Sequence, residues 1–220
     1  LEQAPQGLFL LWLSFMGLLV FAASVIGQHG LWRRLIQADP TGLTIVIVML
    51  FITCSLWVGS RSWQLGIQWQ TMHQTPDPKI EKSMTWATDY LSARAHPETD
   101  KGVLQQVLSD RAHGPQEMAW WLNGIQLKLG LLGKVIGFSV LAFELGSMDS
   151  FDPQQSAQML KSLTGGLGIA LLTTITGLTA NILLGLQLMR LDRFADGLVA
   201  EILKRGEAQA MATSADKASA

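Results

Sequence analysis

The chain has 220 residues, of which 49% are apolar and only 15% charged, and its formal net charge is −1. A soluble globular chain carries about 25% charged residues; the shortfall here is concentrated in a few long stretches, which is the pattern of a membrane protein. The near-neutral balance offers no basic patch for nucleic acid, and a lone cysteine, Cys54, leaves no internal disulfide or cysteine-held metal cluster to expect.

The first apolar run, Leu8 to Gly27, has 20 residues and no charge. At 1.5 Å per residue it is roughly 30 Å long, the thickness of a bilayer's hydrocarbon core. It exceeds the apolar part of a signal peptide, and no basic segment precedes it, so it reads as a span. In the polar segment Gln28 to Pro40, Leu31, Trp32, Leu35 and Ile36 recur at helical spacing around Arg33 and Arg34. That spacing predicts a short amphipathic helix lying at the interface. The second uncharged run, Thr41 to Gly59, ends at Trp57 and Arg61, a boundary signature.

From Ser60 to Gln126 charges return, and Pro76, Pro78, Pro97 and Pro115 punctuate the segment. Helices are predicted over Ile80 to Arg94, Thr99 to Arg111 and from Gln116 onward, with Pro97 and Thr99 as start signals and no strand alternation. The third run, Leu127 to Leu145, contains Lys134 and carries Glu144 near its end. A loop from Gly146 to Lys161 follows, then the uncharged fourth run, Leu163 to Met189, closed by Arg190, Asp192 and Arg193. An amphipathic helix is expected to continue to Lys204, and the Ala/Ser-rich tail after Gly206 to be disordered.

The predicted fold is therefore an all-α polytopic membrane protein with four transmembrane helices. Residues 1–60 form an N-terminal hairpin with its interfacial helix, 61–126 a helical cytoplasmic domain, 127–190 a transmembrane pair, and 191–220 a helical extension and tail. With the N-terminus, 60–128 and the tail on one side, twelve Lys and Arg stand there against Arg33, Arg34 and Lys161 on the other. The positive-inside rule then places both termini in the cytoplasm.

The fourth run carries Thr173, Thr174, Thr176, Thr179, Asn181 and several glycines, which lipid contact alone does not require. Ala170, Thr174, Gly177 and Asn181 fall on one stripe of a helix, and Gly130, Gly133 and Gly137 make a small-residue face on the third run. Two readings stand side by side: a tight helix–helix seam, or a polar stripe along a water-filled ion path. Lys134 divides the same way. It lies six residues from Lys128, roughly 9 Å along the axis. Its long stem can snorkel to the surface, or its ammonium can stand in a pore and pair with a partner's carboxylate. Glu144 is a rim residue or a point where ions enter.

Interfacial anchoring accounts for most of the eight tryptophans, among them Trp12, Trp32, Trp57, Trp120 and Trp121. His29, His73, His96 and His113 have no metal-ligand spacing, Gly165-Gly166-Leu167-Gly168 is followed by no Lys-Ser pair, and no nucleophile–base set is present. Neither cofactor nor metal is expected, and the chain does not read as an enzyme.

The third run contains Leu129-Gly130-Leu131-Leu132-Gly133-Lys134-Val135-Ile136-Gly137, and the fourth Gly168-Ile169-Ala170-Leu171-Leu172-Thr173-Thr174-Ile175-Thr176-Gly177-Leu178. In order and separation these resemble the paired channel helices of the TolQ/ExbB/MotA proton channel family, over about residues 127–190. The chain departs from that pattern at Lys134, where the family has threonine, at Leu183, where TolQ and ExbB have proline, and in its extra N-terminal span, which only MotA shares. The resemblance implies a homo-oligomeric ring, a pentamer, in the bacterial inner membrane around a single-span partner of the TolR, ExbD or MotB kind. That partner brings a membrane aspartate, and ion flow is turned into mechanical work. On this reading Thr174 faces the carboxylate, and Lys134, Thr173, Asn181, Gly177 and Glu144 lie on the ion path or toward the partner. The alternative is a non-conducting scaffold that clusters partner helices.

Overall fold

The computed structural model describes residues 5–28, 39, 41–73, 86–94, 100–146 and 153–219. Among them the chain forms five helices: α1 (Pro5–Gln28), α2 (Leu43–His73), α3 (Trp86–Arg94), α4 (Lys101–Gly146) and α5 (Pro153–Ser219). α1, α2, α4 and α5 are long and apolar enough to cross a membrane, over Gly7–Gln28, Leu43–Gln70, Lys101–Phe143 and Leu163–Ala212. The protein is an all-helical, multi-pass membrane protein. The expected interfacial helix falls on residues 29–38 and 40, and the start of the helix expected at Ile80 on 80–85, all outside the described residues.

Helix starts follow from capping. Asp39 receives Thr41 N at 3.0 Å, the Thr41 hydroxyl, and Thr44 N at 2.7 Å, so its carboxylate occupies the donors that open α2. Gly42 supplies the one left-handed turn there, at φ 71°. Asp100 caps α4 by accepting Gly102 N at 2.9 Å. Pro153 begins α5, where a proline N–H would be unused in any case.

Three expectations are corrected. α4 does not break at Pro115; it is one helix of 46 residues. The loop after Gly146 is shorter than predicted, because residues 153–161 belong to α5. The tail is not irregular: α5 is helical for 67 residues, through Ser219. Alanine, which dominates that tail, is the best helix former, so a composition read as low complexity also favours a helix. The anticipated boundaries at 60/61, 126/127 and 190/191 all fall inside helices.

Contacts group the chain into two compact units. The first comprises Leu1–Ser14, Val58–Ala119 and Gln187–Ala220. Its core holds Leu65, Leu108, Ala112, Leu191, Ala195, Leu198 and Ile202. Gly59 lets Trp12 lie directly on α2, where a Cβ would come within 2.6 Å of the indole. His113 Nε2 stands 2.8 Å from Asp196 and its Nδ1 3.1 Å from the Ser109 carbonyl, and Arg111 pairs with Asp89 at 2.8 Å. The second unit comprises Phe15–Trp57 and Trp120–Leu186. In it Ser55 Oγ donates to Met16 Sδ at 3.6 Å, and α4 packs along α5.

Candidate functional site

Small residues at three- and four-residue spacing place Gly130, Gly133 and Gly137 on one face of α4, and Gly166, Ala170, Thr173 and Gly177 on one face of α5. These faces meet. A Cβ at Gly130 would stand 3.0 Å from the Thr173 carbonyl oxygen and 3.2 Å from Gly177 Cα; one at Gly133 would lie 2.5 Å from Thr173 Cβ. A Cβ at Gly137 would lie 2.7 Å from the Gly166 carbonyl oxygen and 2.8 Å from Ala170 N, and one at Gly177 would stand 2.9 Å from the Gln126 carbonyl oxygen. At Gly133, Gly137 and Gly177 these distances admit no side chain, and at Gly130 the backbone of α5 would have to shift by a few tenths of an ångström, so glycine is what allows the two backbones to approach.

The polar residues of the stripe serve the same seam. Thr173 is fully enclosed, and its hydroxyl donates to the Ile169 carbonyl at 2.8 Å. Asn181 Nδ2 donates across the seam to the Asn123 carbonyl at 2.9 Å. Gly177 is buried against Gly130. Thr174 differs: it is only half-buried, and its one hydroxyl proton has two acceptors, the Ala170 carbonyl at 2.7 Å and the Gly130 carbonyl at 3.3 Å. Its oxygen retains lone pairs that can accept.

Lys134 lies one turn beyond Gly130, and in a regular helix its N–H is the donor to the Gly130 carbonyl. Thr174 and Lys134 thus meet at the same carbonyl on the rim of the seam. The Lys134 side chain is exposed, with Leu131 and Phe138, one turn to either side, exposed as well. The neighbouring surface of α5, Leu171, Ile175, Leu178 and Ile182, is apolar and exposed. Glu144 is on the last turns of α4, and its side chain lies outside the described residues. Lys134, through its backbone, and Thr174, through its hydroxyl, both border the Gly130 carbonyl, whereas Thr173, Gly177 and Asn181 are spent on holding α4 to α5.

Two polar residues in the same seam were not anticipated from the sequence. Asn123 and Gln126 are buried on the α4 face that carries Gly130 and Gly133. Their position three residues apart, continuing the glycine periodicity backward, was the available signal. Among the described residues no group of three or more His, Cys, Asp or Glu gathers as a metal site.

No family model matches the chain, and no curated protein or solved structure matches it.

Proposed function

We propose that this chain is the ion-conducting subunit of a membrane motor, with the proton as the ion. It forms a homo-oligomeric ring, a pentamer, in the bacterial inner membrane with both termini cytoplasmic. It drives a single-span partner that carries a membrane carboxylate, as in proteins of the TolR, ExbD or MotB kind. The observation behind this reading is an exposed lysine, Lys134, one helical turn beyond the Gly130 carbonyl that accepts the half-buried Thr174 hydroxyl. A charge in mid-span costs roughly 2.5–3.5 kcal/mol on insertion scales, so an ammonium held there calls for an anion or water.

This chain does not provide the anion. The runs Leu8–Gly27, Thr41–Gly59 and Leu163–Met189 contain no acid, and Glu144 is ten residues along the same helix, roughly 15 Å away. In a ring, copies related by rotation about the membrane normal keep equivalent residues at one depth. A neighbouring copy therefore offers Lys134 no acid that these spans lack, and on this reading the carboxylate comes from the partner. One charge crossing 100 mV supplies about 2.3 kcal/mol, enough to drive such a cycle.

The test has two parts. Native mass spectrometry of the purified protein should give a ring of identical chains; a monomer would sink the proposal. Co-reconstitution in liposomes with a single-span chain that carries a membrane aspartate and co-purifies with the ring should give proton flux that stops when that carboxylate is made an amide. A ring that shows no flux with the partner bound would leave the scaffold reading.

A further inference from the structure

In the first unit, α2, α3 and α4 enclose an open cleft of about 540 Å³ lined by Arg61, Trp86, Val107, Asp110, Arg111 and Pro115. A smaller cleft of about 230 Å³ shares Arg61 and Trp86 with it and is walled by Leu65 and Ile67 as well. The larger one falls in the size range of small-ligand sites, about 300–1,000 Å³. Its charges do not cancel one another. Arg111 is neutralised by Asp89, 2.8 Å away. Arg61 donates only to uncharged acceptors: through Nη1 to Gln64 Oε1 at 3.0 Å and through Nη2 to the Arg111 carbonyl at 3.1 Å. Each of those nitrogens keeps a second N–H. Asp110 is exposed and has no ion-pair partner among the described residues. One guanidinium and one carboxylate are left, and they are not paired with each other. A ligand that complements both carries a negative and a positive charge.

The cleft also lies at the depth of lipid headgroups. Arg61 follows the uncharged run Thr41–Gly59 by two residues. It stands 18 residues beyond Leu43, the first residue of α2, roughly 27 Å along the axis and close to the thickness of a hydrocarbon core. α5 gives the same level independently. His113, two residues after Arg111, is held 2.8 Å from Asp196. Asp196 is six residues, roughly 9 Å, past Arg190, which closes the uncharged run Leu163–Met189. Trp86 suits that zone, where the amphipathic indole is favoured.

We infer that this cleft binds the headgroup of a zwitterionic phospholipid, its phosphate on Arg61 and its primary ammonium on Asp110, as phosphatidylethanolamine would supply. A primary ammonium has three N–H donors for a carboxylate. A choline headgroup has none, and an anionic headgroup has no cation for Asp110. Val107 and Ile67 are exposed beside the charged groups and offer apolar surface to the glycerol and the first carbons of the acyl chains. A soluble phosphate ester would gain nothing from that surface. The site does not depend on the chain conducting ions.

Native mass spectrometry of the full-length protein tests this, in detergent titrated with phosphatidylethanolamine, phosphatidylcholine or phosphatidylglycerol of matched acyl chains. The parent should retain phosphatidylethanolamine most strongly. Asp110→Asn, at an exposed position, should weaken that retention about tenfold, as a charge-assisted hydrogen bond is lost. It should also remove the advantage over phosphatidylcholine. Arg61→Gln should weaken all three lipids, since each carries a phosphate. Retention of phosphatidylcholine or phosphatidylglycerol by the parent as strong as that of phosphatidylethanolamine would overturn the proposal. So would an unchanged preference in Asp110→Asn, or unchanged retention in a folded Arg61→Gln. If Arg61→Gln does not fold, the lipid series and Asp110→Asn decide. Soluble glycerophosphoethanolamine should displace the lipid poorly, and displacement at equal concentration would make this a site for a soluble solute and overturn the lipid assignment.

Discussion

The guanidinium of Arg61 donates through Nη2 to the backbone carbonyl of Arg111 at 3.1 Å. That carbonyl is the one that Pro115, four residues further on, leaves without its helical donor. A side chain from α2 therefore replaces the missing N–H of α4, which lets the helix run through the proline. Arg61→Leu should destabilise the protein by about 0.5–1.5 kcal/mol, the net worth of an ordinary hydrogen bond. Pro115→Ala brings back an N–H at that position, so Arg61→Leu should cost less in its background. A double-mutant cycle by chemical denaturation in detergent measures this; additive effects would mean that Arg61 acts elsewhere.

The glycines separate into those that face backbone and those that face open space. Gly133→Ala and Gly137→Ala force contacts at 2.5 to 2.8 Å on α5 and should lower stability by about 1–3 kcal/mol, the range for overpacking. Nothing lies within 4 Å of a Cβ at Gly17 or Gly124. Gly17→Ala and Gly124→Ala should be neutral or stabilising by up to about 1 kcal/mol, since alanine lowers the entropy lost on forming a helix. Thermal melting of the four variants side by side would show the split, and equal losses in all four would refute it.

Burial pushes the Asp39 carboxyl up, but the hydrogen bonds from Thr41 and Thr44 outweigh it and hold the group below its ordinary range. A pKa lowered on folding stabilises the native state above the unfolded value, near pH 4, and that contribution is lost as pH falls through the folded value. Asp39→Asn should therefore cost about 0.5–2 kcal/mol at neutral pH, the range for a helix cap. The gap between parent and variant should narrow as pH falls below about 4. A gap that stays constant with pH would show that the charge on Asp39 plays no part.

Three of the spans were legible as uncharged apolar runs of bilayer length, and the third in chain order as an apolar run that carries Lys134 and, near its end, Glu144; such runs are too long for an ordinary core helix and too greasy for a surface one. The glycine faces were legible because spacing on a helix is fixed by geometry. The continuity of α4 was not, since the donor that rescues Pro115 comes from a residue 50 positions away. The stripe on α5 was legible as a stripe, but spacing alone does not distinguish a surface that faces water from one that faces another helix. Asn181 is resolved by its partner, the Asn123 carbonyl, which only the packed structure brings within reach, and Thr173 by its enclosure against Gly133. Asn123 and Gln126 precede the apolar run of α4, where polar side chains ordinarily face water, so composition did not mark their burial.

Thr174 tests whether the rim conducts. Valine has nearly the shape of threonine, so Thr174→Val should keep the α4–α5 seam and the assembly, losing only the hydrogen bonds to Ala170 and Gly130. It removes the hydroxyl that can accept from a protonated carboxyl or a water. Proton flux with the partner should fall at least tenfold, about 1.4 kcal/mol in the barrier, while cross-linking between subunits is unchanged. Parental flux in Thr174→Val would reduce Thr174 to packing.

Lys134 is the residue that distinguishes this rim from a plain hydroxyl-lined path. A positive charge close to a carboxylate favours its ionised form and lowers its pKa. Pairing with Lys134 would thus hold a partner's carboxylate deprotonated and make the protonation step of each cycle harder. Lys134→Thr removes the charge and keeps a hydroxyl, so flux should rise while the ring stays intact. Lys134→Met removes the charge and the polarity while keeping the bulk of the stem. If the ammonium pairs with the partner, Lys134→Met should weaken co-purification of the partner, and the charge-reversed Lys134→Glu should abolish it. If the stem only carries its charge to the membrane surface, roughly 9 Å away at the level of Lys128, partner retention and flux in Lys134→Thr and Lys134→Met will match the parent. Partner co-purification and liposome flux, measured together on the three variants, separate the two: a change in both assigns Lys134 to the partner, and a change in neither assigns it to the lipid.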